Sequence, residues 1–216
     1  MTLNEYIEKI RIKIKDTSNE ISDSDISESL NEALNKLSID YPRINSKKYI
    51  FQGEYIFDLP EDWNEEFTWL QGIKINKEDK TIYLEESYYN IYVEERTFKI
   101  KNNDLSISDE VILFYSVPYK LEENIKGNLV LPLIYYASSV AVFTLAQKYA
   151  HLYETDQTTD PKVNYRVEEL LKISELYKKK YEEIICNLIC GGNDLKGYMI
   201  TNSHNKDITG IDIIFH

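Results

Sequence analysis

Histidine and cysteine are scarce in this chain, and the chemistry they support is scarce with them. Three residues are histidine (His151, His204 and His216) and two are cysteine (Cys186 and Cys190). Two cysteines make no disulfide framework, and a structural zinc needs four ligands. Cys186 and Cys190 lie four apart on what reads as one helix face, where small, buried, apolar cysteines are expected. His151 and Glu154 are three apart, but the di-metal motif of helical bundles runs Glu-x-x-His and draws on other helices. No metal or cofactor is expected. Glycine is rare as well, at seven residues. No Gly-rich phosphate loop, G-x-S-x-G or H-E-x-x-H occurs. Adjacent carboxylates such as Glu65–Glu66 and Glu94–Glu95 read as solvated charge. The chain is not expected to be an enzyme.

Positive charge is also in deficit. The 25 Lys and Arg against 37 Asp and Glu leave a formal net charge of -12. A protein that grips nucleic acid by its phosphates needs the opposite balance. The opening MTLNEYIEKI has no basic stretch followed by an apolar core, so no secretory signal is expected and a cytosolic origin follows. A length of 216 residues suits one domain or two small ones. A hydrophobic fraction of 43% with a mean hydropathy of -0.44 fits a soluble globular chain. Tyrosine is abundant, at eighteen. Its apolar ring and polar tip suit interfaces, but an AT-rich genome enriches the same codons, so the tyrosines weigh little towards assembly.

One long apolar run remains to be explained. Leu129–His151, LVLPLIYYASSVAVFTLAQKYAH, falls in a charge-free interval between Lys126 and Lys148. About 20 apolar residues suffice to cross a bilayer. A helix that is hydrophobic all round is otherwise deeply buried in protein. Pro132 would sit in the first turn, where its missing N–H costs nothing. Ser138, Ser139 and Thr144 interrupt the run, Ala137, Ala141 and Ala146 are small, and the flanking lysines give no inside/outside bias. The expected reading is a core helix, dry on nearly all sides, whose small residues let neighbours approach. Tyr135, Tyr136, Tyr149 and Tyr153 would mark the faces where it meets a β block or another subunit.

The rest of the chain falls into blocks around this helix. Thr2 with Glu5 forms a capping box, and Ile7, Ile10 and Ile14 recur at helical spacing, so a first helix is expected over 3–15. Asp16–Asn19 breaks it. A second, beginning near Ser24, carries Ile26, Leu30, Ala33, Leu34 and Leu37 on one stripe until Pro42 stops it. Between Asp16 and Asn35 there are six acids and no Lys or Arg, which reads as a solvated face. Tyr49, Phe51, Tyr55 and Phe57 around Gly53 predict a two-stranded hairpin, closed by the turn Asp58–Trp63. Further strands are expected at 69–75, 81–84, 91–100 and 110–118, with turns at 76–79 and 101–104. A last helix over 161–190 has Val167, Leu170, Leu171, Ser174, Tyr177, Tyr181, Ile184 and Ile185 as its buried stripe. Gly191–Gly192 ends it.

The expected fold is therefore α+β. A helical bundle of two N-terminal and two long C-terminal helices holds an inserted antiparallel β block, and an extended C-terminal arm follows. The segments are 1–46, 47–118, 119–190 and 191–216. The arm ends in apolar residues, Ile208, Ile211, Ile213, Ile214 and Phe215. Alternation at Ile211, Ile213 and Phe215 suits either a strand added to another chain's sheet or one folded back on this chain's own β block.

The order of these pieces carries a resemblance. SLNEALNKLSIDYPR ends the N-terminal helices, YIFDLPEDW closes the aromatic segment, LVLPLIYYASSVAVFTLA opens the apolar helix, and VEELLKISELYKKKYEEI forms the last. Over residues 2–188 this resembles the head-to-tail adaptor (connector) proteins of tailed bacteriophages, the ring beneath the portal. The resemblance implies a structural virion protein in the neck between capsid and tail, made in the host cytoplasm. It implies a homo-oligomeric ring of about a dozen copies, with a portal protein on one side and a tail-side neck or stopper protein on the other. DNA would pass through without sequence-specific binding, and no membrane is involved. The arm, with Tyr198, Ile208, Ile211, Ile213, Ile214 and Phe215, would reach the portal. Asp23, Asp25 and Glu28 of one subunit would face Lys178, Lys179 and Lys180 of the next. The family supplies no catalytic residues, and the sizeable β block departs from shorter adaptors. Two other readings stay open: a bacterial scaffold or regulatory protein whose bundle binds a protein partner, and a small enzyme using tyrosines and carboxylates.

Overall fold

Among the described residues there are four α-helices, of which the first two each join a capping box to an apolar stripe. The computed structural model describes residues 1–16, 18–78, 80–101, 105–121, 125–156 and 161–191. Helix α1 (Leu3–Ile14) opens on the expected capping box: Glu5 N–H donates to Thr2 Oγ1, and Thr2 N–H donates to Glu5 Oε2 at 2.7 Å. Lys15 ends it in the left-handed region at φ 58°. Helix α2 (Asp23–Asp40) has a second box, Ser22 with Asp25, and Pro42 follows its end. Helix α3 spans Gly127–Asp156 and α4 spans Pro161–Gly191.

Two compact units result, Met1–Pro42 with Pro118–Gly191, and Arg43–Val117. In the helical unit, α3 packs against α1, α2 and α4. Ile10, Ile26, Leu30, Leu37, Leu129, Ala137, Ala141 and Tyr181 form its buried centre. Small side chains set the α3–α4 contact, where the buried Ser174 hydroxyl donates to the Ser139 carbonyl at 2.9 Å. By length and composition Gly127–His151 could cross a membrane, and just over half of its most apolar stretch is buried within the unit. Burial of Ala137, Ala141 and Ala146 accords with the core reading.

Three details of the helices differ from expectation. Helix α3 starts at Gly127, so Pro132 lies in the second turn and the Asn128 carbonyl receives no bond from it. The helix is not dry all round, because Leu131 is 47% and Phe143 45% exposed. On α4, Leu171 lies beside the buried stripe rather than on it and is 41% exposed, with Ile173 and Leu176 exposed as well. The stripe itself runs through Ser174, Tyr181 and Ile185.

The β unit contains two antiparallel sheets. In chain order its strands are β1 (Arg43–Ile50), β2 (Ile56–Asp58), β3 (Leu70–Asn76), β4 (Thr81–Leu84), β5 (Tyr89–Tyr92), β6 (Thr97–Ile100) and β7 (Glu110–Val117). One sheet runs β1-β7-β3-β4, the other β2-β6-β5. The expected hairpin around Gly53 does not form. Phe51 stays tied to the segment before β7, donating to the Asp109 carbonyl (2.9 Å) and accepting from Ser108 N–H (3.0 Å). Gly53, at φ 105°, then turns the chain from one sheet into the other. The strand expected over 91–100 is two strands, β5 and β6, folded at Val93–Arg96, where Arg96 takes φ 53°. Alternation places Val111, Leu113, Tyr115 and Val117 of β7 inside. Phe57 and Phe98 are cross-strand partners with rings stacked 5.0 Å apart, and Tyr49 meets both edge-on.

Candidate functional site

Part of the acidic run 16–35 is tied into the helical unit, while Glu28 and Glu32 lie on its exposed face. Arg11 reaches from α1 into the α1–α2 connection, donating to Asp16 and Asp23 (2.6 Å each) and to the Ile21 carbonyl (2.9 Å). Asp16 also accepts the backbone N–H groups of Glu20 and Ile21. Glu20 accepts Tyr149 OH at 2.8 Å and Arg166 at 2.6 Å, while the Arg166 guanidinium stacks 4.3 Å over the Tyr149 ring. These bonds, Tyr149's first, hold Glu20 below its ordinary carboxyl pKa. Asp25 is lowered in the same way by Lys148 and then Ser22. Sequence reading missed this lock because its partners are more than a hundred residues apart in the chain.

Of the residues expected at a subunit contact, Asp23 and Asp25 thus have partners in their own chain. Glu28, Lys178 and Lys179 are exposed, and exposed Lys180 pairs with Glu183 at 2.7 Å. Beside Arg11 lies an open cleft of about 600 Å³ between α1 and the connection. The Arg11 guanidinium is already taken up by Asp16, Asp23 and the Ile21 carbonyl. A second cleft, about 330 Å³, lies between α1 and the start of α3. Lys9, Ile12, Lys13, Val130, Leu131 and Ile134 line it.

The tyrosines of α3 face elements of their own unit. Tyr135 lies against Tyr177 of α4, whose hydroxyl donates to the Lys13 carbonyl at 2.7 Å. Tyr136 meets Tyr181 edge-on at 5.0 Å. Tyr149 serves the Glu20 lock, and the Tyr153 side chain lies outside the described residues. Tyr181 is fully buried and donates to Asp40 at 2.8 Å, the carboxylate that also receives Lys36. Burial first, then Asp40, pushes this phenol far above the usual range.

In the β unit, the YIFDLPEDW turn is a structural clasp. Asp62 accepts Tyr115 OH at 2.7 Å and the Asn45 amide at 2.8 Å, and Arg96 donates to the Pro60 carbonyl. Tyr49 donates to the Asp58 carbonyl. Burial raises the Tyr49 and Tyr115 phenols, with Asp62 adding to the effect at Tyr115. Trp63 is buried, and its Nε1 has no hydrogen-bond partner among the described residues.

The cysteines were expected inside and are not. Cys186 and Cys190 are both exposed, because α4 buries Tyr181 and Ile185 and turns the next face outward. Their sulfurs are 3.9 Å apart, and the bond between the thiols raises the Cys190 pKa. Among the described residues no group of three or more His, Cys, Asp or Glu could hold a metal. The Glu154 side chain, His204, His216 and the arm residues Tyr198, Ile208, Ile211, Ile213, Ile214 and Phe215 all lie outside the described residues. No family model matches the sequence, and no curated protein matches it.

Proposed function

We propose that this chain is a structural subunit of the ring that joins the portal at the capsid vertex to the tail of a bacteriophage, lining the channel through which DNA passes. The observation that carries the reading is the order of parts: two capped helices, an inserted antiparallel β unit, then an apolar helix and a charged one returning along it. The quoted motifs fall at structural junctions of that plan. Ala33, Leu34 and Leu37 of the N-E-A-L-N-K-L segment are buried, and the Y-x-F-D-L-P-x-D-W turn clasps the β unit.

Charge is compatible with the role. A subunit of net charge -12 repeated around a ring would repel DNA phosphates rather than hold them. The reading therefore requires an acidic inner wall. A heterologous ring also needs two different complementary faces on each subunit. Glu28 with Lys178 and Lys179 are exposed candidates, and Asp23, Asp25 and Lys180 would first exchange intrachain partners. The extended arm, through Tyr198, Ile208, Ile211, Ile213, Ile214 and Phe215, would contact the portal, and the tail-side neck or stopper protein would bind the opposite end.

The test is size-exclusion chromatography with light scattering of the chain alone and mixed with a portal protein. A ring-sized complex in the mixture is expected. A chain that stays monomeric and ignores portal would sink the reading. The second reading, a scaffold or regulatory protein, is favoured by the apolar cleft between α1 and α3. Its lining, with Lys9 and Lys13 beside the apolar side chains, suits an acidic, amphipathic partner helix.

A further inference from the structure

We propose that Cys186 and Cys190 together form a two-thiolate site for a soft, thiophilic cation of the copper(I) class, on the exposed face near the end of α4. The inference stands apart from the ring reading. The sulfurs are 3.9 Å apart, and both cysteines are exposed and free of disulfide. Helix geometry sets the spacing, since residues four apart are neighbours one turn away with Cβ atoms about 5–6 Å apart.

That spacing disfavours a direct bond between the sulfurs. A disulfide needs Cβ atoms about 3.8 Å apart and sulfurs at about 2 Å, so forming one would open the last turns of the helix. Those turns are anchored: Ile185 is buried, and Leu188 and Ile189 pack against the core. An atom inserted between the sulfurs needs no such distortion. At the zinc–sulfur length of about 2.3 Å, taken as the guide for a thiolate-bound cation, two bonds in line span about 4.6 Å, and rotation of the two exposed side chains covers the difference from 3.9 Å.

Ligand number selects the cation. Zinc in a closed site takes four ligands, and no third His, Cys, Asp or Glu joins this pair among the described residues. Thiolates favour copper(I), which accepts two. On binding, each thiol releases its proton to solvent and two copper–sulfur bonds form. Copper stays in its +1 state, so no electron moves and no oxidant is needed.

The experiment is anaerobic titration of the reduced full chain with copper(I) held by a competing chelator, alongside Cys186→Ser, Cys190→Ser and the double variant. One copper per chain is expected. Either single substitution should weaken binding by more than the roughly 100-fold upper range for loss of an outer-shell partner. Circular dichroism should find all variants folded, since both side chains are exposed. Binding by the double variant equal to that of the unmodified chain would overturn the site, as would single variants that match it. Copper-linked pairs of chains on size exclusion would overturn the intrahelical geometry.

Discussion

Tyr181 concentrates several physical effects in one side chain. It is fully buried, its ring meets Tyr136, and its hydroxyl donates to Asp40. A hydrogen bond to a charged acceptor contributes about 1.5–3 kcal/mol, so Tyr181→Phe should lower stability by about that much at neutral pH. The pH dependence follows from the raised folded pKa. A phenol that ionises later in the folded state than at its unfolded value near 10 gives full stability below pH 10. That contribution is lost as pH rises beyond it, by about 1.4 kcal/mol per pH unit. The variant has no such group, so the gap between the two proteins should close above pH 10. Denaturant melts from pH 7 to 11 measure this, and a gap that stays constant would show that Tyr181 does not titrate as its surroundings dictate. The sequence marks Tyr181 only as a stripe residue. Asp40, 141 positions away, is invisible as its partner until α2 and α4 are brought together.

At the scale of elements, α3 is the most demanding. Ala141 is wholly buried where the helix meets its neighbours, whereas Phe143 is 45% exposed. Ala141→Asp would bury an unpaired carboxylate and overfill the contact. The loss of about 3–5 kcal/mol or more is comparable with the entire stability of a modest domain. Phe143→Lys should cost about 1 kcal/mol or less. Soluble expression and a thermal melt distinguish the two, and a folded Ala141→Asp variant would refute the core-strut assignment. Helices were legible because their determinants are local: the Thr2–Glu5 box, the stripe from Ile26 to Leu37, the stop at Pro42. The Ser22–Asp25 box went unread because Asp takes the place usually held by Glu or Gln. Strand existence was legible as well, but pairing was not. Gly53 looks like a hairpin turn from its neighbours alone, and only the bonds from Phe51 to Asp109 and Ser108 direct the chain elsewhere. The turn at Arg96 has a positive φ without glycine or asparagine to signal it. Cysteine's apolar character points inward, but helix phase places Cys186 and Cys190 outside the Tyr181–Ile185 stripe.

For the whole molecule, two separate apolar clusters imply separable folding. One draws only on α1–α4 and their connections, the other only on the β unit. The chain leaves and rejoins the helical unit at neighbouring points, since Tyr119 N–H donates to Ser38 at the end of α2. It also begins and ends the β unit side by side, with Arg43 opposite Val117 across the β1–β7 ladder. Antiparallel partners have Cα atoms about 4.5–5.5 Å apart. A short Gly/Ser linker from Pro42 to Pro118 should therefore close the helical unit without strain, and loop entropy changes only slowly with length. With residues 43–117 replaced in this way, the chain should keep a cooperative thermal transition and its helical circular dichroism. Expressed alone, residues 43–117 should fold with no more than about 3–5 kcal/mol of stability, the ceiling for a single core below about 80 residues. Cooperative melting of both pieces is the expected result. If the linked helical unit loses its transition, the β unit is part of the same cooperative core and the division into two units fails.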